Sequence, residues 1–318
     1  MRRLAIGGAV ALFLIGLSTN GFAKPHKGSG KQTIPVTDCQ TITHQGNYIL
    51  ENDLVLPAGG GANGNCLVIS SNQVNVDLNG HTITSACLFP ENCPPAEPGG
   101  IGIDIEADHV CVANGFVGPV GGSGGSFTVG LFGEGNFISA TNLGLETDIG
   151  ILLTDVRHSA FSHIEYGGIL VSGPVAVGPV MSVSGGGNNI FESIDSSTTT
   201  FEGIIITNSS NNIIEGANVS CSAEGEAGPG IILTQDSSRN LLLNNNIFVL
   251  FGNGIELDLG DERNFILNNT VTTATTASGF YAMLDQNTNC GSDIWINNNF
   301  SNLFTPGQIS ASPASCIH

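Results

Sequence analysis

Short apolar runs recur along this chain, each entered by a polar residue and followed by a turn that contains Asn. They read Gln73-Val74-Asn75-Val76, His109-Val110-Cys111-Val112, Asn136-Phe137-Ile138, Asn189-Ile190-Phe191, Asn212-Ile213-Ile214, Asn240-Leu241-Leu242-Leu243, Asn264-Phe265-Ile266-Leu267 and Asp293-Ile294-Trp295-Ile296, with a weaker copy at Ala160-Phe161. Counted from the first apolar residue of each, the shortest step is about 23 residues, and the longer steps add a loop to that unit. A second apolar strand begins with Gly in most units, at Gly102, Gly130, Gly150, Gly168, Gly203, Gly230, Gly254 and Gly279. Strands this short and this close leave no room for crossover helices, so each must pair in parallel with its copy in the next unit. The pattern predicts an all-β solenoid, coil stacked on coil, of about nine or more coils.

Five residues after the first apolar position, Asn recurs at Asn79, Asn142, Asn218, Asn246 and Asn299, with Asn114 and Asn269 one position earlier. Asn tolerates the left-handed backbone of a sharp corner, and amides stacked at one corner can hydrogen-bond to the copies above and below. These residues are read as a structural Asn ladder. Phe137, Phe191 and Phe265 are expected to stack in the core.

Composition agrees with a turn-rich fold that still buries a core: 44 Gly and 13 Pro among 318 residues, with 41% hydrophobic and only 11% charged residues. A helical bundle is excluded. Met1 to Ala23 has two arginines, an apolar stretch and a small-residue end, which reads as an export leader; its apolar part is shorter than the roughly 20 residues a membrane span needs. The expected organisation is a signal peptide over 1–23, a linker over 24–38 and one repeat domain over 39–318, in a secreted or periplasmic protein. The net charge is −19, and cleavage of the leader leaves only Lys24, Lys27, Lys31, Arg157, Arg239 and Arg263 as bases. Such a field repels phosphate backbones and anionic lipid, so no nucleic-acid partner and no membrane insertion are expected. A polyuronate would need bridging cations.

Eight cysteines suit an oxidising compartment. Cys39 with Cys66 and Cys290 with Cys316 would staple the two ends, and Cys87 with Cys93 would close a short loop. Cys111 and Cys221 stand about four coils, or roughly 19 Å, apart. That exceeds the about 7 Å a disulfide spans, so they do not pair with each other; Cys87 or Cys93 is an alternative partner for Cys111.

Together with Val76-Asp77-Leu78-Asn79-Gly80-His81-Thr82-Ile83, the coils resemble the right-handed parallel β-helix repeat proteins of the pectate-lyase-like superfamily, including the NosD-like periplasmic group, over roughly Cys39 to Cys316. The resemblance implies a single right-handed parallel β-helix. It leaves activity open, because that superfamily spans lyases, glycosidases, epimerases, esterases, adhesins and scaffolds. The Asn-Thr-Asp, Asp-Asp, Gly-His-Gly and Arg-Ile-Lys signatures of its polygalacturonase-like enzymes are absent. Only Arg157, Arg239 and Arg263 are basic within the coils, and no Met, His or Cys cluster of the kind copper favours is present.

Two segments concentrate chemistry. Thr154 to Tyr166 holds Asp155, Arg157, His158 and His163, the raw material for proton transfer beside an anion-binding group; the other reading is a polar corner with a surface histidine. Glu256 to Arg263, with Asp236 and Arg239 one coil earlier, offers Asp236, Asp258, Asp261 and Glu262 as calcium ligands; the other reading is a solvated edge whose acids screen two stacked arginines. Inserts at 85–99, 118–126, 220–228 and 272–278 are expected to project from one edge as a rim, with 171–187 at a different corner. Trp295, Tyr48, Tyr166 and Tyr281 are the rings available to stack on sugars. The chain is expected to hold an extended polysaccharide along its flank. Cleavage as a lyase or glycoside hydrolase is left open against a non-catalytic surface scaffold that presents loops.

Overall fold

A computed structural model describes residues 33–57, 64–86, 100–119, 127–167, 178–196, 202–221, 228–274, 280–303, 311–312 and 317. Their strands form two sheets, a wide one of 17 strands and a narrow one of 11, and every pairing between strands is parallel. Each coil contributes one narrow-sheet strand and then crosses to the wide sheet, so neighbours in space are one coil apart in sequence. The only helical segment among the described residues is a three-residue 3-10 turn, Thr288–Cys290.

The narrow sheet shows why the chain coils. In Met181–Ser184, Ile204–Thr207 and Ile231–Thr234 burial alternates strictly, so inward residues line one wall of the core. Register then places Val183 beneath Ile206, and Ile206 beneath Leu233. The wide sheet builds the opposite wall. Phe161, Phe191, Ile214, Leu242, Ile266 and Trp295 form one inward column, with the Phe161 and Phe191 rings stacked at 5.4 Å.

Glycine at the mouth of the narrow-sheet strands has a steric cause. A Cβ on Gly102, Gly130 or Gly230 would meet the carbonyl oxygen of Gly130, Gly150 or Gly254 in the next coil at 2.9, 2.8 and 2.7 Å. The backbones approach too closely there for any side chain.

Buried amides brace the corners. Asn189, Asn212, Asn240 and Asn264, each entering a wide-sheet strand, are buried. Each Nδ2 donates to the Oδ1 one coil on, from Asn189 to Asn212 at 3.1 Å through to Asp293 at 3.1 Å. A second buried ladder joins Asn245, Asn269 and Asn298. The residues read from sequence as one ladder occupy several columns. Asn246 donates to Asn218 at 3.0 Å and Asn142 to Asn114 at 3.1 Å, both exposed. Asn299 lies in register with Thr270, and Asn79 donates to the Leu50 carbonyl. Asn269 appeared displaced by one position because it belongs to the second, buried ladder.

Several other expectations change. Thr33–Val36, within the expected linker, is a strand paired with Gly46–Leu50. Met181–Ser184 pairs with Ile149–Thr154, and the strand expected from Gly168 lies outside the described residues. Phe191 is in the core, but Phe137 sits at a left-handed corner and Phe265 faces out at 41% exposure. The expected inserts fall largely on 87–99, 120–126, 168–177, 222–227 and 275–278, which lie outside the described residues. Of the expected insert at 171–187, Met181–Ser184 is a narrow-sheet strand and Gly187 bridges Arg157 and Ser210 at the corner that follows it.

Candidate functional site

The edge where the narrow sheet passes into the wide one consists of short turns, described from Thr43 to Asp293. Gln73, His109, Phe137, His158, Asn188, Asn211, Arg239 and Arg263 occupy one position in successive coils, all left-handed with φ between 55° and 61°. Backbone hydrogen bonds join the rungs: Phe137 N–H to the Arg157 carbonyl at 2.9 Å, His158 to Gly187 at 3.3 Å and Arg239 to Glu262 at 3.1 Å. Asp155, Arg157 and His158 lie on this ridge, and so do Asp236, three coils or ~14 Å away, and Asp258, Asp261 and Glu262, four coils or ~19 Å away. Two clusters some eighty residues apart in sequence thus share one edge.

His109, Phe137 and His158 form a stack of rings along the ridge, with centroids 4.7 and 5.3 Å apart. The Arg157 backbone bridges Asn136 and Gly187, and Asp155 donates its N–H to the Ser184 carbonyl at 2.8 Å. The Asp155, Arg157 and His158 side chains are exposed, and no ion pair joins them; among the described residues the one ion pair is His81 with Asp53, at 3.2 Å. His163 is not part of this group. It sits at the next corner (φ 54°), five residues further along the strand Ala160–Tyr166, or about 16 Å from His158.

The acids of the second cluster are already engaged. Asp261 is buried and accepts the Ser237 N–H at 2.7 Å and the Asp258 N–H at 3.1 Å; burial pushes its pKa up to about 7. Asp258 accepts the Thr234 hydroxyl at 2.6 Å and the Gln286 amide at 3.0 Å. Asp236 and Glu262 are exposed. Among the described residues no three His, Cys, Asp or Glu side chains lie close enough together to hold a metal ion.

The rings read as sugar-stacking candidates are mostly core. Tyr166 is fully buried and donates its hydroxyl to the Thr147 carbonyl at 2.8 Å, Trp295 donates its Nε1 to Asp285 at 3.0 Å, and Tyr48 bonds the His44 carbonyl. The ridge instead offers polar groups. At its first rungs, Thr43, His44, Gln45, Ser70, Ser71, Asn72 and Gln73 line an open cleft of about 510 Å³.

Cys39 and Cys66 form a disulfide. Cys290 is disulfide-bonded to a partner outside the described residues, where Cys87, Cys93 and Cys316 also lie. Cys111 is a thiol, so it takes neither Cys87 nor Cys93, and burial pushes its pKa up. The Cys221 Sγ faces the Pro229 carbonyl at 3.7 Å.

No protein-family model and no curated protein matches the sequence. Solved structures do match. The Dettilon tailspike protein superposes with a TM-score of 0.60 at 14% identity, covering 85% of this chain and 55% of its own. The tailspike of E. coli bacteriophage HK620, in complex with a pentasaccharide, gives 0.52 at 11% identity over 89% and 58%. A mutant of the periplasmic alginate epimerase AlgG gives 0.50 at 14% identity over 85% and 65%. The chain thus spans little more than half the length of these two tailspikes. With the two parallel sheets, these likenesses define the molecule as a right-handed parallel β-helix repeat protein.

Proposed function

We propose that this protein is exported and binds an extended polysaccharide along the ridge of turns between the narrow and wide sheets. The observation that carries the reading is the ridge: successive coils present Gln73, His109, Phe137, His158, Asn188, Asn211, Arg239 and Arg263 in line, at about 4.8 Å intervals. A polymer lying parallel to the axis meets an amide, imidazole or guanidinium group at every one of these rungs but that of Phe137, whose ring stacks between His109 and His158. The cleft from Thr43 to Gln73 opens on the same edge, and the HK620 tailspike, of matching fold, is bound to a pentasaccharide. The leader-like segment and the Cys39–Cys66 disulfide support export.

Binding is favoured over cleavage. A proton-transfer pair must be within hydrogen-bond reach of each other or of a common atom, whereas no hydrogen bond joins Asp155, Arg157 and His158 and His163 is on another corner. A neutral polymer suits the charge of the chain better than a polyuronate. The test is binding to a glycan panel by the parent, by Arg157→Ala with His158→Ala, and by His163→Ala. The ridge variant should lose binding at least several-fold while His163→Ala keeps it. Failure of the parent to bind any glycan, or equal binding by the ridge variant, would contradict the reading.

A further inference from the structure

Arg157, Arg239 and Arg263 are the lysines and arginines among the described residues, and all of them lie on the ridge. With 27 acids in the chain, ion-pair partners for them would be easy to supply. None of the three has one, since the single ion pair among the described residues is His81 with Asp53. Arg239 and Arg263 are also placed together. They stand two residues before the paired Leu241 and Phe265, and so occupy one position in adjacent coils, about 4.8 Å apart. Their backbones are pinned, with the Arg239 N–H on the Glu262 carbonyl at 3.1 Å and the Arg263 N–H on the Ser292 hydroxyl at 3.0 Å. Both side chains are exposed.

This placement is unfavourable to the fold in two ways. Like charges on neighbouring strands repel. Both residues also hold left-handed backbone, φ 57° and 61°, which asparagine adopts with less strain, as Asn188 and Asn211 do on the two preceding rungs. Asp236 and Glu262, exposed in the same turns, form no ion pair that would offset the repulsion. Strain kept without compensation in the fold points to a ligand. Two neighbouring guanidinium forks fit an oxyanion, because each presents N–H donors in a plane that matches the oxygens of a carboxylate or a sulfate. The rungs on either side, Asn211 and Ser292, are neutral and polar and suit sugar hydroxyls. Asp236, Glu262 and the net charge of −19 oppose a run of anionic groups, so the pair takes one.

We infer that Arg239 and Arg263 form a subsite for a single carboxylate or sulfate ester carried by an otherwise neutral polysaccharide. The inference rests on the reading that the ridge binds polysaccharide, and adds the substituent that the polymer carries. Arg157, three coils from Arg239, is not part of the subsite.

Affinities for paired polymers test it. Dextran, xylan and galactomannan are each compared, unmodified, with sparsely carboxymethylated and sparsely sulfated forms. The full chain should bind a substituted form about fivefold tighter than the unmodified polymer, as two exposed ion pairs would give, and the ratio should fall toward one in high salt. Preference in either arm supports the inference and identifies the oxyanion. Arg239→Gln with Arg263→Gln should bring the ratio to one at low salt; glutamine already stands at this position as Gln73, so the substitution fits the fold. Arg157→Gln should leave the ratio in place. Equal binding of neutral and substituted forms would leave polysaccharide binding standing and overturn the subsite, whereas binding of none of the polymers would overturn both. A ratio that survives the double variant, or that falls as far with Arg157→Gln, would also overturn it.

Discussion

The backbone N–H and the side-chain amide of Asn212 both donate to one atom, the Oδ1 of Asn240 in the next coil, at 2.9 and 3.0 Å. Asn240 repeats the arrangement with Asn264, at 2.9 and 3.3 Å, and returns an Nδ2 bond to the Ser209 carbonyl at 3.1 Å. One side chain thus satisfies three buried groups where the chain turns a corner and has no strand partner.

Asn240→Leu leaves the Asn212 N–H and the Ser209 carbonyl buried without those partners. It is expected to destabilise by about 2–4 kcal/mol, since each orphaned buried group costs about 1–3. Asn246→Ala removes an exposed rung and should cost less than about 1 kcal/mol. Urea unfolding of both variants makes the comparison; equal losses would show that the buried ladder is not special.

Gly203→Val should be more damaging than either. A Cβ there would collide with the Gly230 carbonyl and would stand 2.6 Å from Val219 Cγ1. Neither can retreat without opening the coil spacing, so a loss above about 3 kcal/mol, or failure to fold, is expected. A variant with parental stability would refute the close approach.

Stability should fall as pH rises through neutrality. Burial pushes Asp261 up to about 7, Asp104 up to about 6 and Asp293 up to about 6, with the charge of Glu106 adding to the effect at Asp104. The Asp104 Oδ1 is buried with no hydrogen-bond partner, which favours the neutral acid. The folded chain therefore holds more protons than the unfolded chain between the ordinary aspartate range and about pH 7. Their contribution is full below that range and lost as pH passes through about 6 to 7. Unfolding free energy should be higher near pH 4.5 than near pH 8, by roughly a few kcal/mol in all, and Asp261→Asn should flatten the profile. A free energy that climbs from pH 4.5 to 8 would contradict this.

The Cys39–Cys66 disulfide, 27 residues apart in sequence, ties the first coil to the second. Replacing both by Ser should cost about 2–4 kcal/mol through the freed unfolded chain. Hydrogen exchange should rise first in Gln40–Ile42 and Leu67–Ile69, which pair there; uniform loss along the rod would contradict a local staple.

Much of this architecture is legible in the chain, because a stacked coil writes its period directly into sequence. The recurring Gly marks backbone approach, and the Asn that enters the four successive wide-sheet strands beginning at Ile190, Ile213, Leu241 and Phe265 marks a buried amide. What period alone does not show is which face of a strand points inward. In Leu241-Leu242-Leu243, Phe265-Ile266-Leu267 and Ile294-Trp295-Ile296 both faces are apolar, so alternation vanishes and the first apolar residue reads as core when it points out. Val74 and Val110, in the polar-faced coils, are inward. The candidate site was legible as two segments but not as one ridge, and His163 separates from His158 because each sits at its own left-handed corner with extended chain between them.

Distances between spin labels on one outward column test the stacking most directly. Labels at Ser139 and Ile213, at Ser139 and Phe265, and at Ser139 and Ile294 are three, five and six coils apart. Pulsed electron–electron resonance should give separations that grow in equal steps of about 4.8 Å per coil, to roughly 14, 24 and 29 Å. Distances that do not increase in this order, or that fail to scale with coil number, would contradict a solenoid of in-register coils.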